Sequence, residues 1–249
     1  SDPLLLGPVT ARLAVTQNPP GLFITGTNTE VGKTYVAARI ARDLCDRGVR
    51  VGVYKPAASG ARRIDGRLVS EDARMLWEAA GRPGTLDQVC PQVFETPLAP
   101  HLAARAEGKS LDAELLRTGI EPWLAASDFV LVEGAGGLLS PMGDDLYVAD
   151  LALDFGFPLV VVSPNVLGTI NQTLQTLVAA ACFRRPLHIA GIVLNHPVLP
   201  TEDASITTNR QQLVHHSRVP LLAELAHGAT QFDAPVDWLA AANAAIRPA

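Results

Sequence analysis

Cysteine is scarce in this chain: Cys45, Cys90 and Cys182 stand far apart and form no C-x-x-C pair. That spacing excludes a disulfide framework or a zinc ribbon and leaves three small apolar residues suited to a reducing compartment. Aromatic residues make up 5% and charged residues 18%, and no basic cluster interrupts them. With a formal net charge of −5, the footprint of a protein that follows a nucleic-acid backbone is missing, so no nucleic-acid partner is expected. No apolar run approaches the length of a membrane span. The first 20 residues lack a basic start and a long apolar core, so neither a secretory signal nor a membrane partner is expected, and the expected compartment is the cytoplasm.

What the chain does have is hydrophobic residues, 48% of 249, enough for one continuous core. They fall in short β-branched runs, Leu22–Thr25, Arg50–Tyr54, Phe129–Glu133, Leu159–Ser163 and Ile189–Leu194, with a weaker one at Val219–Leu222. Between them lie helical patterns at Lys33–Arg47, Glu71–Ala80, Ala113–Ala125, Ile170–Phe183 and Asp203–His216, and a last one at Val236–Ile246. Such alternation predicts βαβ crossovers and a mostly parallel central sheet flanked by helices: a three-layer α/β, P-loop NTPase-like fold. The expected organisation is an N-terminal extension over 1–20, partly disordered, and a single domain over 21–249. In open parallel sheets ligands sit beyond the carboxyl ends of the strands, so polar residues just after each run are the candidate site.

Residues 21–34 read GLFITGTNTEVGKT, a strand, a glycine turn and a Gly32-Lys33-Thr34 triplet that opens a helix. This is the layout of a phosphate loop, in which backbone N–H groups cradle phosphates, Lys33 reaches them and the Thr34 hydroxyl binds Mg²⁺. Five residues rather than four separate Gly26 from Gly32. In YKPAASGARR, Lys55 sits at a strand tip, either solvated or binding an anion, with Ser59 and Gly60 as further donors. In VSEDARML, Ser70 reads as a helix N-cap, and Glu71 and Asp72 as first-turn acids that complement the helix dipole. FVLVEGAGGLLSP ends a buried strand in Glu133, the arrangement in which an acid holds Mg²⁺, and Gly134, Ala135 and Gly136 let the backbone approach phosphate. After the fourth run, Gly168, Thr169 and Asn171 open a helix whose free N–H groups suit a carboxylate, or else are plain caps. In IVLNHP, Asn195 either reads a nucleobase edge or forms the turn before Pro197. His101, in PLAPH, is a substrate contact or a surface histidine.

Taken in order, TGTNTEVGKT, YKPAASG, SEDA, PLAPH, VEGAGG and LGTIN resemble dethiobiotin synthetase, from about Leu22 to Leu225. The longer glycine spacing is itself a feature of that family. The resemblance implies an ATP- and Mg²⁺-dependent cyclo-ligase in which 7,8-diaminononanoate captures CO₂ as a carbamate. ATP then phosphorylates the carbamate, and the second amine closes the urea ring. It implies catalytic roles for Lys33, Lys55 and Glu30, and Mg²⁺ ligation by Thr34, Asp72 and Glu133. Nucleotide contacts would come from Glu30, Val31, Gly32, Lys33, Thr34, Tyr35, Asp72, Glu133, Gly134, Ala135, Gly136, Asn195 and His196. Ser59, Gly168, Thr169 and Asn171 would bind the substrate, whose carboxylate is received across a homodimer interface.

Three positions depart from the resemblance. Asn28 stands where many members have Asp, His196 where an acid is common, and PLLAELAHG diverges from the usual ending. The rival reading is a partitioning-type P-loop ATPase, a nucleotide-switched binding module. Its additional lysine before a glycine pair is absent from Thr25-Gly26-Thr27. A cobalamin-pathway amide synthetase would require a glutaminase domain for which there is no room.

Overall fold

The computed structural model describes residues 18–199 and 204–243. Six strands, β1 (Gly21–Gly26), β2 (Val51–Tyr54), β3 (Phe129–Gly137), β4 (Leu159–Pro164), β5 (Ile189–Asn195) and β6 (Leu221–Leu225), form one sheet. Its order is β6-β5-β4-β1-β3-β2, and every neighbouring pair is parallel. Helices cover both faces, so strands β1, β2, β4 and β5 are buried along their whole length. That burial is why their sequences read as unbroken apolar runs rather than as alternations. Burying side chains such as Leu22, Phe23 and Ile24 contributes about 1.5–3 kcal/mol each before entropy is counted. The fold expected from the sequence is the fold observed.

Four helices carry or flank the site: α1 (Lys33–Asp46), α2 (Glu71–Ala79), α3 (Thr169–Cys182) and α4 (Ile206–His216). Helix α1 buries Val36, Ala37, Ile40, Ala41 and Leu44, a single stripe at helical spacing. The Ser70 hydroxyl caps α2 by accepting from Ala73 N at 3.3 Å, as its sequence predicts.

Some boundaries differ from expectation. The helix expected over Ala113–Ala125 is two, Ala113–Thr118 and Glu121–Ala126, because the Gly119 turn and Pro122 interrupt it. The weak sixth strand lies at Leu221–Leu225 rather than Val219–Leu222, since Pro220 carries no N–H for the ladder. The final helix spans Trp238–Asn243, and its expected continuation to Ile246 lies outside the described residues, as do Asp203 and most of the N-terminal extension. Several elements escaped the sequence reading, among them a short helix at Leu86–Val89 and the pairing of Ala57–Ala58 with Gln92–Val93; two are larger. One is a helix at Val148–Phe155, and the other a hairpin pairing Arg62–Ile64 with Arg67–Val69 through left-handed Asp65 and Gly66.

Candidate active site

The strand order changes direction around β1, which lies between β4 and β3, and the loop leaving β1 is the centre of the site. Glu30 and Gly32 both adopt left-handed backbone, with φ of 58° and 89°. Gly32 then acts as the N-cap residue of α1. The longer loop thus carries two left-handed residues, Glu30 and Gly32, ahead of the helix start. Gly32 is also required for space: a Cβ there would lie 2.1 Å from Asn195 Nδ2. The same Nδ2 donates to Val31 O at 2.9 Å, so the tip of β5 braces the loop from below. Asn195 Oδ1 is buried and has no partner.

Three further strand tips and one helix start converge here. Glu133 is buried at the end of the regular part of β3, and its Oε1 accepts from Lys55 Nζ at 2.6 Å and from Thr34 Oγ1 at 2.8 Å. Lys55, 3% exposed at the tip of β2, is also 3.0 Å from Asp72 Oδ2 in the first turn of α2. Asp72 is therefore more than a dipole-complementing acid: it reaches into the site, where, against the effect of burial, the Lys55 ammonium holds its carboxyl below the usual carboxylate range. Burial pulls the Lys55 ammonium down, but the carboxylates of Glu133 and Asp72 outweigh it and hold it above the ordinary lysine value. Burial also lowers Lys33, with Glu133 opposing and the like charge of Lys55 adding to the shift. Lys33 Nζ donates to Asn28 O at 3.1 Å across its own loop.

The glycines after Glu133 have distinct geometry. Ile24 pairs with Glu133 but Gly26 pairs with Gly137, so β3 bulges by two residues at its tip. Gly136 is left-handed at φ 76°, and a Cβ on it would meet Ser140 Oγ at 2.4 Å. Gly134 is buried against Val148 and Phe23, whereas Ala135 and Gly136 are half-buried at the tip.

Among the described residues no group of three or more His, Cys, Asp and Glu side chains is placed to hold a metal ion. Magnesium does not require one, because it takes one or two carboxylates plus hydroxyl, water and phosphate oxygens. Thr34, Asp72 and Glu133 fit that donor set, and Glu133 Oε2 is buried with no partner in the protein.

The remaining predicted residues, all among the described ones, make no hydrogen bond or ion pair with the Lys55–Glu133–Asp72 cluster. Gly168 is the left-handed N-cap residue of α3, Thr169 is buried with its Oγ1 unpartnered, and Asn171 is exposed in the first turn. Ser59 is half-buried beyond Lys55. The Tyr35 hydroxyl donates to Ala229 O at 2.6 Å, which ties α1 to the loop after β6 rather than leaving it free. Glu30 is exposed beside the loop. The His196 ring contacts Glu224 through Nε2. His101 follows Pro100 at the start of a short helix, and its Nδ1 is buried without a partner. Sequence reasoning missed Asn165, Asn209 and Glu224. Asn165 follows a strand end in SPNV and was open to the same strand-end rule; Asn209, inside a helix, carried no local signal.

Comparison with known proteins gives the family and the fold. Residues 20–230 match the family model described as an AAA domain. An ATP-dependent dethiobiotin synthetase BioD of Rhodopirellula baltica is 42% identical over 214 residues, 82% of this chain and 82% of the relative. The protein of that name from Akkermansia muciniphila is 38% identical over 214 residues, covering 86% and 95% of the two chains. Among solved structures, the signal recognition particle receptor FtsY of Elizabethkingia anophelis in complex with GDP superposes with a TM-score of 0.50 at 13% identity. That match covers 91% of this chain and 63% of the receptor, and it shows the shared fold alone. On sequence identity and coverage, the chain belongs to the family of ATP-dependent dethiobiotin synthetases.

Proposed function

We propose that this chain is an ATP- and Mg²⁺-dependent cyclo-ligase that converts 7,8-diaminononanoate and CO₂ to dethiobiotin. The observation that carries the reading is the convergence of Thr34 and Lys55 on Glu133 Oε1, with Asp72 on the same lysine. Four chain segments thereby meet at one charged point beside a phosphate loop.

In this reading one amine of the substrate adds to CO₂, forming an N–C bond and releasing a proton. A carbamate oxygen then attacks the γ-phosphorus as the bond from that phosphorus to ADP breaks. Finally the second amine attacks the carbonyl carbon and gives up a proton, and phosphate leaves with the carbon–oxygen bond electrons as the urea ring closes. Phosphorylation is needed because an oxide is a poor leaving group and phosphate a good one. The protein's work is positioning and charge stabilisation.

Lys55, buried and held charged by two carboxylates, would neutralise the carbamate oxygen and the transferring phosphoryl group. Lys33 and the loop N–H groups would hold the phosphates, with Glu30 beside them. Mg²⁺ would be held by Thr34, Asp72 and Glu133, and would supply charge neutralisation on phosphate oxygens. Gly134, Ala135 and Gly136 would bring backbone close to the nucleotide, with Val31, Gly32, Tyr35, Asn195 and His196 completing its surroundings. Ser59 and the Gly168–Asn171 helix start would take the substrate, the latter across a homodimer interface.

We assign the protein to the cytoplasm; three free cysteines and the absence, among the described residues, of a helix long and apolar enough to cross a membrane are in keeping with that. The one large sheet and the main hydrophobic cluster, running from Leu22 to Ala241, support one domain from residue 21 onward.

The test is a product assay with bicarbonate, Mg-ATP and the diamine, read by mass spectrometry. Dethiobiotin and phosphate should form only with all three present. ATP hydrolysis that is indifferent to the diamine, with no ring product, would overturn the assignment.

A further inference from the structure

Asn165 is a buried polar residue that the proposed chemistry does not use. It is 2% exposed and follows Pro164 at the end of β4. Its backbone N–H donates to Asn195 O at 2.7 Å, joining the tips of β4 and β5. Its Oδ1 accepts from Asn209 Nδ2 at 2.9 Å, and its Nδ2 donates to Ile206 O at 3.2 Å. Asn209 of α4, also 2% exposed, donates to Val166 O at 3.1 Å as well. Asn165 is therefore committed at both donor and acceptor and Asn209 at its donor, the state in which a buried polar network fixes one arrangement.

The network extends to the nucleotide side. His196 Nε2 lies 3.1 Å from Asn165 Nδ2 and against Glu224 Oε1. A carboxylate only accepts, so His196 Nε2–H donates to Glu224 and Asn165 Nδ2 donates to Ile206 O. The contact between the two nitrogens is packing, not a hydrogen bond, and Asn165 is bonded to this strand tip through its backbone N–H on Asn195 O. Glu224 Oε2 accepts from Arg210 at 2.9 Å, and Arg210 also binds Asp233 at 2.9 Å. The other end of the network is the segment from Val166 to Gly168, which places the start of α3. Two places that the proposed reaction uses separately, the Asn195–His196 strand tip under the phosphate loop and the Gly168–Asn171 helix start, thus meet at one residue. Its backbone N–H holds Asn195 O, and its side chain holds Asn209, which holds Val166 O.

We propose that Asn165 is a positioning residue, setting the nucleotide-side tip of β5 relative to the turn that receives the substrate carboxylate. The inference rests on the functional reading above. Neither Lys55 nor Glu133 touches this bracket, so its loss moves binding at both subsites and spares the chemical step.

The experiment is steady-state kinetics on the full chain carrying Asn165→Ala, Asn209→Ala or both. KM should rise on the order of tenfold for Mg-ATP and for the diamine alike, as when an outer-shell partner of a ligand group is removed. In contrast, kcat should stay within about threefold. The double variant should be no worse than the poorer single one, because both changes break the same bracket. A rise in one KM only, a loss confined to kcat, or a lower melting temperature with unchanged kinetics would each overturn the proposal. If Asn165→Ala does not fold, Asn209→Ala carries the test, since alanine suits a helix interior. If the wild type makes no dethiobiotin, the functional reading fails by itself. Calorimetric Mg-ATP affinity of the variants then decides the nucleotide half, and an unchanged affinity overturns it.

Discussion

Lys55 Nζ lies 2.6 Å from Glu133 Oε1, and both residues are buried at the tips of the neighbouring strands β2 and β3. In the proposed reading this pair joins the side of the site that would hold Mg²⁺ to the side that would react. A buried ion pair is weak evidence for stability but strong evidence for placement, because its desolvation cost offsets much of its attraction. Removing one partner separates the two roles.

Lys55→Met should lower the single-turnover rate of ring closure by roughly 10²–10³, while calorimetric Mg-ATP affinity changes little. It should also destabilise the fold by about 3–5 kcal/mol in urea melts, because Glu133 is left as an uncompensated buried charge. Adding Glu133→Gln should restore much of the stability and none of the activity. Equal rates in wild type and Lys55→Met would reduce the lysine to a structural partner.

Gly32→Ala tests the brace under the loop. Alanine there is strained at φ 89°, on the order of 1 kcal/mol or more, and its Cβ displaces Asn195 Nδ2 from Val31 O. Nucleotide affinity should drop sharply. Introducing Asn195→Ala in the same chain should cost less than the sum of the two single changes, since the collision is gone. Strict additivity would mean that the two side chains do not meet.

Glu107 supplies the pH-dependent case. Its Oε1 accepts from Thr96 N at 2.9 Å and from Glu95 N at 2.7 Å, clamping the segment ahead of PLAPH. The Thr96 N–H, with Lys109 and the Glu95 N–H adding to it, holds the carboxyl down to about 2. The folded value lies below the unfolded one, so this stabilisation is present above the ordinary carboxylate range and is lost as pH falls toward 2. In urea melts, wild type should exceed Glu107→Gln in stability at pH 7, and the gap should close progressively from pH 5 to pH 2. A gap independent of pH would rule out the carboxylate as its source.

Asn171 tests assembly. Asn171→Asp puts a negative charge at the exposed start of α3, where a substrate carboxylate is proposed to bind, and should weaken diamine binding without altering Mg-ATP affinity. Mixing Asn171→Asp chains with Lys55→Gln chains under exchange conditions should restore activity, because one site of each mixed dimer regains both native residues. Continued inactivity after verified exchange would mean that each chain works alone.

The βαβ alternation and the phosphate loop were legible because each depends on neighbours in sequence. Strand runs, Gly32 ahead of α1 and the Ser70 cap all rest on local backbone and burial preferences. The same local reading failed where a single residue decided the outcome, as at Gly119 and Pro122, or where no strong period exists, as in the Arg62–Val69 hairpin.

By itself the sequence determined the parallel three-layer architecture, the glycine turn that opens α1 and the strand ends that carry polar groups. Those follow from periodicity and turn chemistry, which act over a few residues. Only the tertiary structure decided that Asp72 turns from a first-turn acid into a partner of Lys55, and that Asn195 braces Val31. Likewise, only folding brings Asn209 to Asn165, 44 positions away. The reason is physical: a buried amide or carboxylate takes whichever partner the strand order brings within about 3 Å, and strand order is set by the packing of the whole sheet.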